Sequence, residues 1–207
     1  MLFYLDLVWN FKNIKGFFKM ELKEKIIEAT IKVFNEKSMK FTMDDIANEL
    51  HVSKKTIYKV FEDKESMFLE VVDYIFSNIK KSEREVVEND SLSTLEKICA
   101  ILAVMPDSYR KMDFRQMVIV MEKYPSIYAE VEKRLETGWE PTIELIERGK
   151  AEGLIRKDVP NALIKHIYEA SLEKFLQTDI LEELGITYTE GLQRVVDVIL
   201  SGVMVKE

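Results

Sequence analysis

Between Ser53 and Lys59 the chain reads S-K-K-T-I-Y-K, with Lys54, Lys55 and Lys59 as cations, Ser53 and Thr56 as short hydroxyls and Tyr58 as a phenol. No acid interrupts the run. Such groups suit recognition of a nucleic acid. Ammonium groups neutralise phosphates, short hydroxyls reach phosphate oxygens or base edges, and a helix N-terminus adds its own N–H groups. Three lysines alone describe a solvated face more often than a binding face. Their position in the fold decides between the two.

Three helices must hold that position. From Glu21 to Lys37, Ile26, Ile27, Thr30, Val33 and Phe34 recur at spacings of three and four, which predicts an amphipathic helix. After a break at residues 37–41, Thr42 stands before Met43, Asp44 and Asp45 as a capping box, and a short helix is expected from Met43 to about Leu50. Ser53 then caps a third helix reaching to about Val60. Only His51 and Val52 separate the end of the second helix from the start of the third, so the helices must cross steeply. Ile46, Ala47, Leu50, Val52, Ile57 and Phe61 are thereby committed to packing on the first helix, with Ala47 small enough for close approach. What remains outward on the third helix is Ser53, Lys54, Lys55, Thr56, Tyr58 and Lys59. On the second helix of a capped, tightly turned pair, a DNA-reading surface outweighs a merely solvated one.

The run F-T-M-D-D-I-A-N-E-L-H-V-S-K-K-T-I-Y-K-V-F-E-D-K-E-S-M-F resembles the DNA-binding domain of TetR-type transcriptional regulators, through its T-x-x-x-I-A, V-S, T-I-Y and F-x-x-K-E signatures. The resemblance spans about 45 of the 207 residues. It implies that Thr42 touches a phosphate, that Lys54, Lys55, Thr56 and Lys59 lie in or beside the major groove, that Tyr58 packs on the sugar-phosphate backbone and that Lys64 clamps a further phosphate. Two positions depart from the family pattern. His51 stands where Gly is usual in the turn, at a cost of about 1 kcal/mol if the backbone there is left-handed. Lys55 stands where many members carry a small residue, which bears on base preference.

Composition frames the remainder. Seven Gly and four Pro are few, so an all-α fold is expected: a three-helix helix-turn-helix domain followed by a helical bundle, about nine to ten helices in total. The net charge of −7 is unevenly spread, at +2 over residues 1–20, zero over 21–64 and −9 over 65–207. Charge location matters more than its total for nucleic-acid binding. Three parts follow: an extension at 1–19 of uncertain status, the DNA-binding domain at 20–64, and an effector-binding and dimerisation domain at 65–207. The extension is apolar and aromatic, yet Asp6, Asn10, Lys12, Asn13 and Lys15 break it too early for a membrane span. It also lacks the marks of a signal peptide, and Met20 could serve as the working start. A lone Cys99 rules out an internal disulfide, and two distant histidines give no zinc set. A cytoplasmic setting, no metal and no cofactor are expected.

Past Lys64 one long helix should run to about Val87. Further helices are expected from Ser91, as cap, to about Met105; from Phe114 to Lys123; from Ser126 to Lys150, either continuous or kinked around Gly138 to Pro141; from Pro160 to Thr178; and from Thr189 to Val203. Met105, Tyr109, Met112, Phe114, Met117, Met121, Tyr124, Tyr128 and Trp139 concentrate soft and aromatic side chains in the middle of this part. Singly each suits core packing; together they suit an adaptable cavity, with Met105, Tyr109, Phe114, Met117, Met121, Tyr124, Trp139 and His166 as candidate effector contacts. The TetR resemblance implies a homodimer through the last two helices. Leu163, Ile167, Leu172, Phe175, Val195, Val198 and Ile199 serve that interface or the monomer core equally well.

The expected function is a sequence-specific DNA-binding regulator, a repressor released from operator DNA by a small apolar or aromatic effector. One alternative keeps the helix-turn-helix but docks it on a protein or membrane partner. A small helical enzyme acting on hydrophobic substrates ranks last, because no nucleophile elbow, phosphate-binding Gly loop or Cys–His pair stands out.

Overall fold

The structure, a computed structural model, describes the backbone of residues 2–106, 109 and 115–205, and the side chains of 20–106, 109 and 117–205. Among these residues the chain is helical throughout, with no strand beyond an isolated bridge between Ile155 and Met204. It divides into two compact units, Met1–Tyr74 and Ile75–Glu207.

The first unit begins with α1 (Leu2–Lys37), which carries the helix expected from Glu21 back through the N-terminal extension. Ile26, Ile27, Thr30, Val33 and Phe34 are buried on one face, as their spacing requires. Thr30 meets its burial by donating its hydroxyl to the Ile26 carbonyl at 2.7 Å. Ser38, at φ 51°, ends α1 in the left-handed region and opens a single 3-10 turn, Ser38–Lys40. The short helices α2 (Met43–Glu49) and α3 (Lys54–Tyr58) follow, and then α4 (Lys64–Glu88), whose first turns complete the unit.

Phe34, Phe41 and Phe68 meet edge to face at its centre, with centroids 5.3 to 6.3 Å apart. Ile46, Ala47, Ile57, Phe61 and Met67 are buried in the same unit. Rings in this arrangement add about 0.5–1.5 kcal/mol per pair beyond the burial of their area. Leu50 and Val52, both expected inside, are only half-buried because the turn brings them to the edge.

The second unit holds the rest of α4 with α5 (Thr94–Leu102), α6 (Arg115–Lys123), α7 (Pro125–Glu136), α8 (Glu140–Ala151), α9 (Asn161–Gln177), the four-residue α10 (Ile180–Glu183) and α11 (Tyr188–Val203). Here α5 packs on α8, α9 on α11, and α6 on both α7 and α9. The cap of α5 is Ser93 and not the expected Ser91. Ser93 forms a full capping box with Glu96, while Ser91 is held in a turn by the Asn89 side chain. This helix stops at Leu102, short of the expected Met105.

The stretch from Ser126 to Lys150 is two helices. Gly138, at φ 75°, makes the corner that a side chain would strain, and Pro141 falls in the first turn of α8, where its missing N–H costs nothing. Lys80 holds this corner through a 2.8 Å hydrogen bond to the Gly138 carbonyl. Of the apolar residues with two possible roles, Leu172, Phe175 and Ile199 are buried within the chain. Leu163, Ile167 and Val198 are exposed.

Candidate nucleic-acid interface

The interface is built from two caps and one turn. At the start of α2 the Thr42 hydroxyl accepts from Asp45 N, while Asp45 Oδ2 accepts from Thr42 N at 2.7 Å and from the Thr42 hydroxyl at 2.9 Å. Asp45 also takes a 2.6 Å hydrogen bond from Lys37. That ammonium, followed by the Thr42 backbone N–H, holds the Asp45 carboxyl down at about 2. At the end of α2 the backbone turns back through His51 at φ 54°, the left-handed conformation for which glycine is the usual choice. Val52 N donates to the Ala47 carbonyl at 2.9 Å, closing the turn.

Ser53 then caps α3 by accepting from Thr56 N, and its hydroxyl also pairs with the Thr56 hydroxyl at 2.8 Å. Ile57 is fully buried and Phe61 nearly so, and these two anchors turn the opposite face of α3 outward. On that face Ser53, Lys54, Lys55, Tyr58 and Lys59 are exposed and Thr56 is half-buried. Tyr58 is 47% exposed, a large aromatic left open to water beside three cations.

The cations differ in what they already hold. Lys54 Nζ donates to Asp44 Oδ2 at 2.6 Å, and this hydrogen bond raises the Lys54 pKa. Lys55 and Lys59 have no ion-pair partner among the described residues. Lys64 lies under its own unit: its ammonium donates to the Phe41 carbonyl and sits 4.1 Å from the centroid of the Phe41 ring. Ahead of it Asp63 caps α4 by accepting from Ser66 N at 2.8 Å. Thr42 is exposed, but its hydroxyl hydrogen is spent on Asp45. Thus Ser53, Lys54, Lys55, Thr56, Tyr58 and Lys59 form one surface, whereas Thr42 and Lys64 are each engaged within the domain.

Asp44 also belongs to this surface, a role its place in the sequence does not mark out. As an acid in the first turn of α2 it reads as a response to the helix dipole. Its reach across the turn to Lys54, ten residues on, emerges only when the helices cross.

The candidate effector contacts in the second unit differ in burial and partners among the described residues. Met105, Tyr109, Met117 and Met121 are buried. The Tyr109 hydroxyl accepts from Asn78 Nδ2 at 2.8 Å. Tyr124 and Trp139 are half-buried, and the Trp139 indole donates to the Leu135 carbonyl while meeting Tyr168 edge on at 5.5 Å. The His166 side chain is 72% exposed and pairs with Glu169. The Tyr168 hydroxyl donates to the Leu102 carbonyl at 2.5 Å, and burial pushes its pKa far above the usual phenol range. Phe114 and Met112 lie outside the described residues. Among those described, no group of three or more His, Cys, Asp and Glu is placed to hold a metal ion, and no helix is long and apolar enough to cross a membrane.

Residues 26–71 match the family described as bacterial regulatory proteins, tetR family. Along nearly its whole length the chain is similar to the uncharacterized HTH-type transcriptional regulator YvaF of Bacillus subtilis (strain 168). The two are 24% identical over 186 residues, covering 90% of this chain and 97% of the relative. In fold it is similar to a TetR transcriptional regulator of Chloroflexus aurantiacus J-10-FL, with a TM-score of 0.65, 19% identity, and coverage of 91% and 98% of the two chains. It is also similar to the regulator FadR of Bacillus subtilis, solved in complex with stearoyl-CoA, with a TM-score of 0.60, 16% identity, and coverage of 86% and 98%.

Proposed function

We propose that this chain, a TetR-family transcriptional regulator by its N-terminal domain, is a homodimeric repressor that grips operator DNA with α3 and lets go when a small apolar or aromatic molecule enters its second unit. One observation carries the reading: Ile57 and Phe61 bury one side of α3 and leave Lys54, Lys55, Thr56, Tyr58 and Lys59 together on the other.

In a major groove, Lys55 and Lys59 meet phosphates or guanine edges without first giving up a partner. The Tyr58 ring lies along the sugar-phosphate backbone while its hydroxyl stays wet. Ser53 and Thr56 offer hydroxyls at the N-terminus of α3, where the backbone N–H groups also point outward. Thr42 and Lys64 reach phosphates by trading the bonds they make to Asp45 and Phe41. Two copies related by a two-fold axis place their α3 helices about one DNA turn apart, roughly 34 Å. The apolar residues Leu163, Ile167 and Val198, left uncovered on α9 and α11, support pairing through those helices.

The effector reading is supported by the buried methionines Met105, Met117 and Met121, which repack readily around a guest. The neighbour solved with stearoyl-CoA lends it precedent. Release then requires only that the guest favour one population of the protein over another.

Selection of bound sequences from random duplexes tests the reading. Enrichment of a two-fold symmetric motif is expected, and recovery of unenriched DNA at all salt concentrations would overturn it.

A further inference from the structure

The corner between α7 and α8 is held from two sides by side chains. Among the described residues, no backbone hydrogen bond ties 137–139 to an element other than α7 and α8. On one side Lys80, on α4, donates to the Gly138 carbonyl at 2.8 Å and to the two Glu83 oxygens at 3.0 and 2.8 Å. On the other Lys165, on α9, donates to the Glu136 carbonyl at 3.0 Å and lies 5.8 Å from the centroid of the Trp139 ring. Trp139 forms the inner face of the corner. Its ring meets Tyr168 edge on at 5.5 Å, and Tyr168 is buried with its hydroxyl on the Leu102 carbonyl.

Lys80 reaches the corner because residue 138 has no side chain. A Cβ there would stand 3.0 Å from Lys80 Cε and 3.2 Å from Lys80 Nζ, closer than such atoms ordinarily approach. Glu83 keeps the ammonium in place, since its side chain is only 12% exposed. Burial raises the Glu83 pKa, against the Lys80 hydrogen bond and the charges of Lys80 and Arg84, which lower it. A carboxylate so placed holds on to its cation. Both ammonium groups are nevertheless within reach of water, Lys80 at 34% side-chain exposure and Lys165 at 26%. Lys80 can therefore exchange the Gly138 carbonyl for solvent while keeping Glu83, and no buried charge is stranded.

A bend made at a glycine and tied to its neighbours by exchangeable side-chain bonds opens at lower cost than the helices it joins. We propose that residues 137–140 are a latched lid over the interior of the second unit, with Trp139 as its inner face and Lys80 and Lys165 as its latches. The lid rests on the effector reading for its purpose, the admission of a guest beside Tyr168. Its opening stands on the contacts around Gly138 and Trp139.

Quenching of Trp139 fluorescence by acrylamide tests the lid. The chain has two tryptophans, Trp9 and Trp139, so a Trp9→Phe background isolates the second. Lys165→Met removes one latch and leaves Glu169 its pairing with His166. Lys80→Met together with Glu83→Gln removes the other without leaving a buried carboxylate unpaired. Each variant is expected to raise the quenching constant by about twofold or more, the combination most of all, while helical content and the hydrogen-exchange protection of α8 and α9 stay at the parent's level. Unchanged quenching in the combined variant overturns the proposal. So does a rise accompanied by lost protection throughout α8 and α9, which is loosening of the whole unit. The effector reading is tested apart, by operator affinity in the presence of N-phenyl-1-naphthylamine, an apolar aromatic probe. A lid that opens as expected while the probe leaves the operator complex intact upholds the lid and overturns release by such a guest.

Discussion

Asp44 on α2 accepts a 2.6 Å hydrogen bond from Lys54 on α3, so the first helix of the reading head holds the first lysine of the second. Both side chains are about half exposed, and a pair of this kind adds little to stability. Its effect is on the surface: part of the Lys54 charge is cancelled before any phosphate arrives.

Asp44→Asn should therefore release a cation. The expected outcome is tighter duplex binding at low salt and a steeper fall with salt, the slope of log affinity against log salt growing by about 0.9 if one more phosphate is neutralised. Thermal stability should hardly change, since solvent screens an exposed pair of this kind. Salt titration by fluorescence anisotropy checks this, and identical slopes would show that Lys54 does not face the backbone.

The capping box makes the domain sensitive to acid. The Lys37 hydrogen bond, then the Thr42 backbone, lowers the folded-state pKa of Asp45 from 3.8 to about 2. A depressed carboxylate contributes stability that is complete above about pH 4 and is lost as pH falls from 3.8 toward 2. Asp45→Asn should narrow the stability difference between pH 5 and pH 2.5 relative to the parent chain, as read from urea unfolding at the two pH values. An unchanged difference would contradict the assignment.

His51 carries backbone strain at φ 54°. His51→Gly should raise stability by roughly 0.5–1 kcal/mol, and His51→Val should lower it by at least as much, because a β-branched residue fits that region worst. Thermal melts of both variants decide, and a destabilising glycine would mean that the imidazole makes an unrecognised contribution.

The exposed stripe on the last two long helices predicts the oligomeric state. Ile167→Glu and Val198→Glu each place a charge on the exposed apolar stripe proposed above as the two-fold interface. Sedimentation should show monomers with unchanged helical content. The duplex affinity for a symmetric site should fall well over tenfold, since one recognition helix remains per molecule. A dimer that persists in both variants would move the interface elsewhere.

Much of this architecture is written in short-range patterns. Thr42 and Ser53 identify themselves as caps because a hydroxyl three residues ahead of the N–H it must satisfy is a local event, and the left-handed turn at His51 is expected from the TetR resemblance, which places Gly there. Ser91 was the wrong cap for a similarly local reason: two serines compete there, and only Ser93 has Glu96 three residues on to complete a box. What the pattern does not reveal is long-range pairing. Lys64 reads as a free phosphate clamp until the fold brings the Phe41 carbonyl under it, and Asp44 reads as a dipole partner until α3 crosses α2. The apolar residues of α9 and α11 divide into core and surface only when both helices are packed, which is why Leu172 and Val198 are indistinguishable by spacing. Lys80 and Glu83 look like an ordinary pair one turn apart on α4, and their hold on the Gly138 carbonyl joins segments far apart in the chain.

The central claim is that one face of α3 holds the DNA. Its most direct measurement is the affinity of the full chain for the selected symmetric duplex, compared with Lys59→Ala and Tyr58→Ala, each verified as a folded dimer by sedimentation and circular dichroism. Loss of specific binding by both variants, about 1–3 kcal/mol or more per contact, is predicted. Wild-type affinity in either folded variant would place the DNA on another surface.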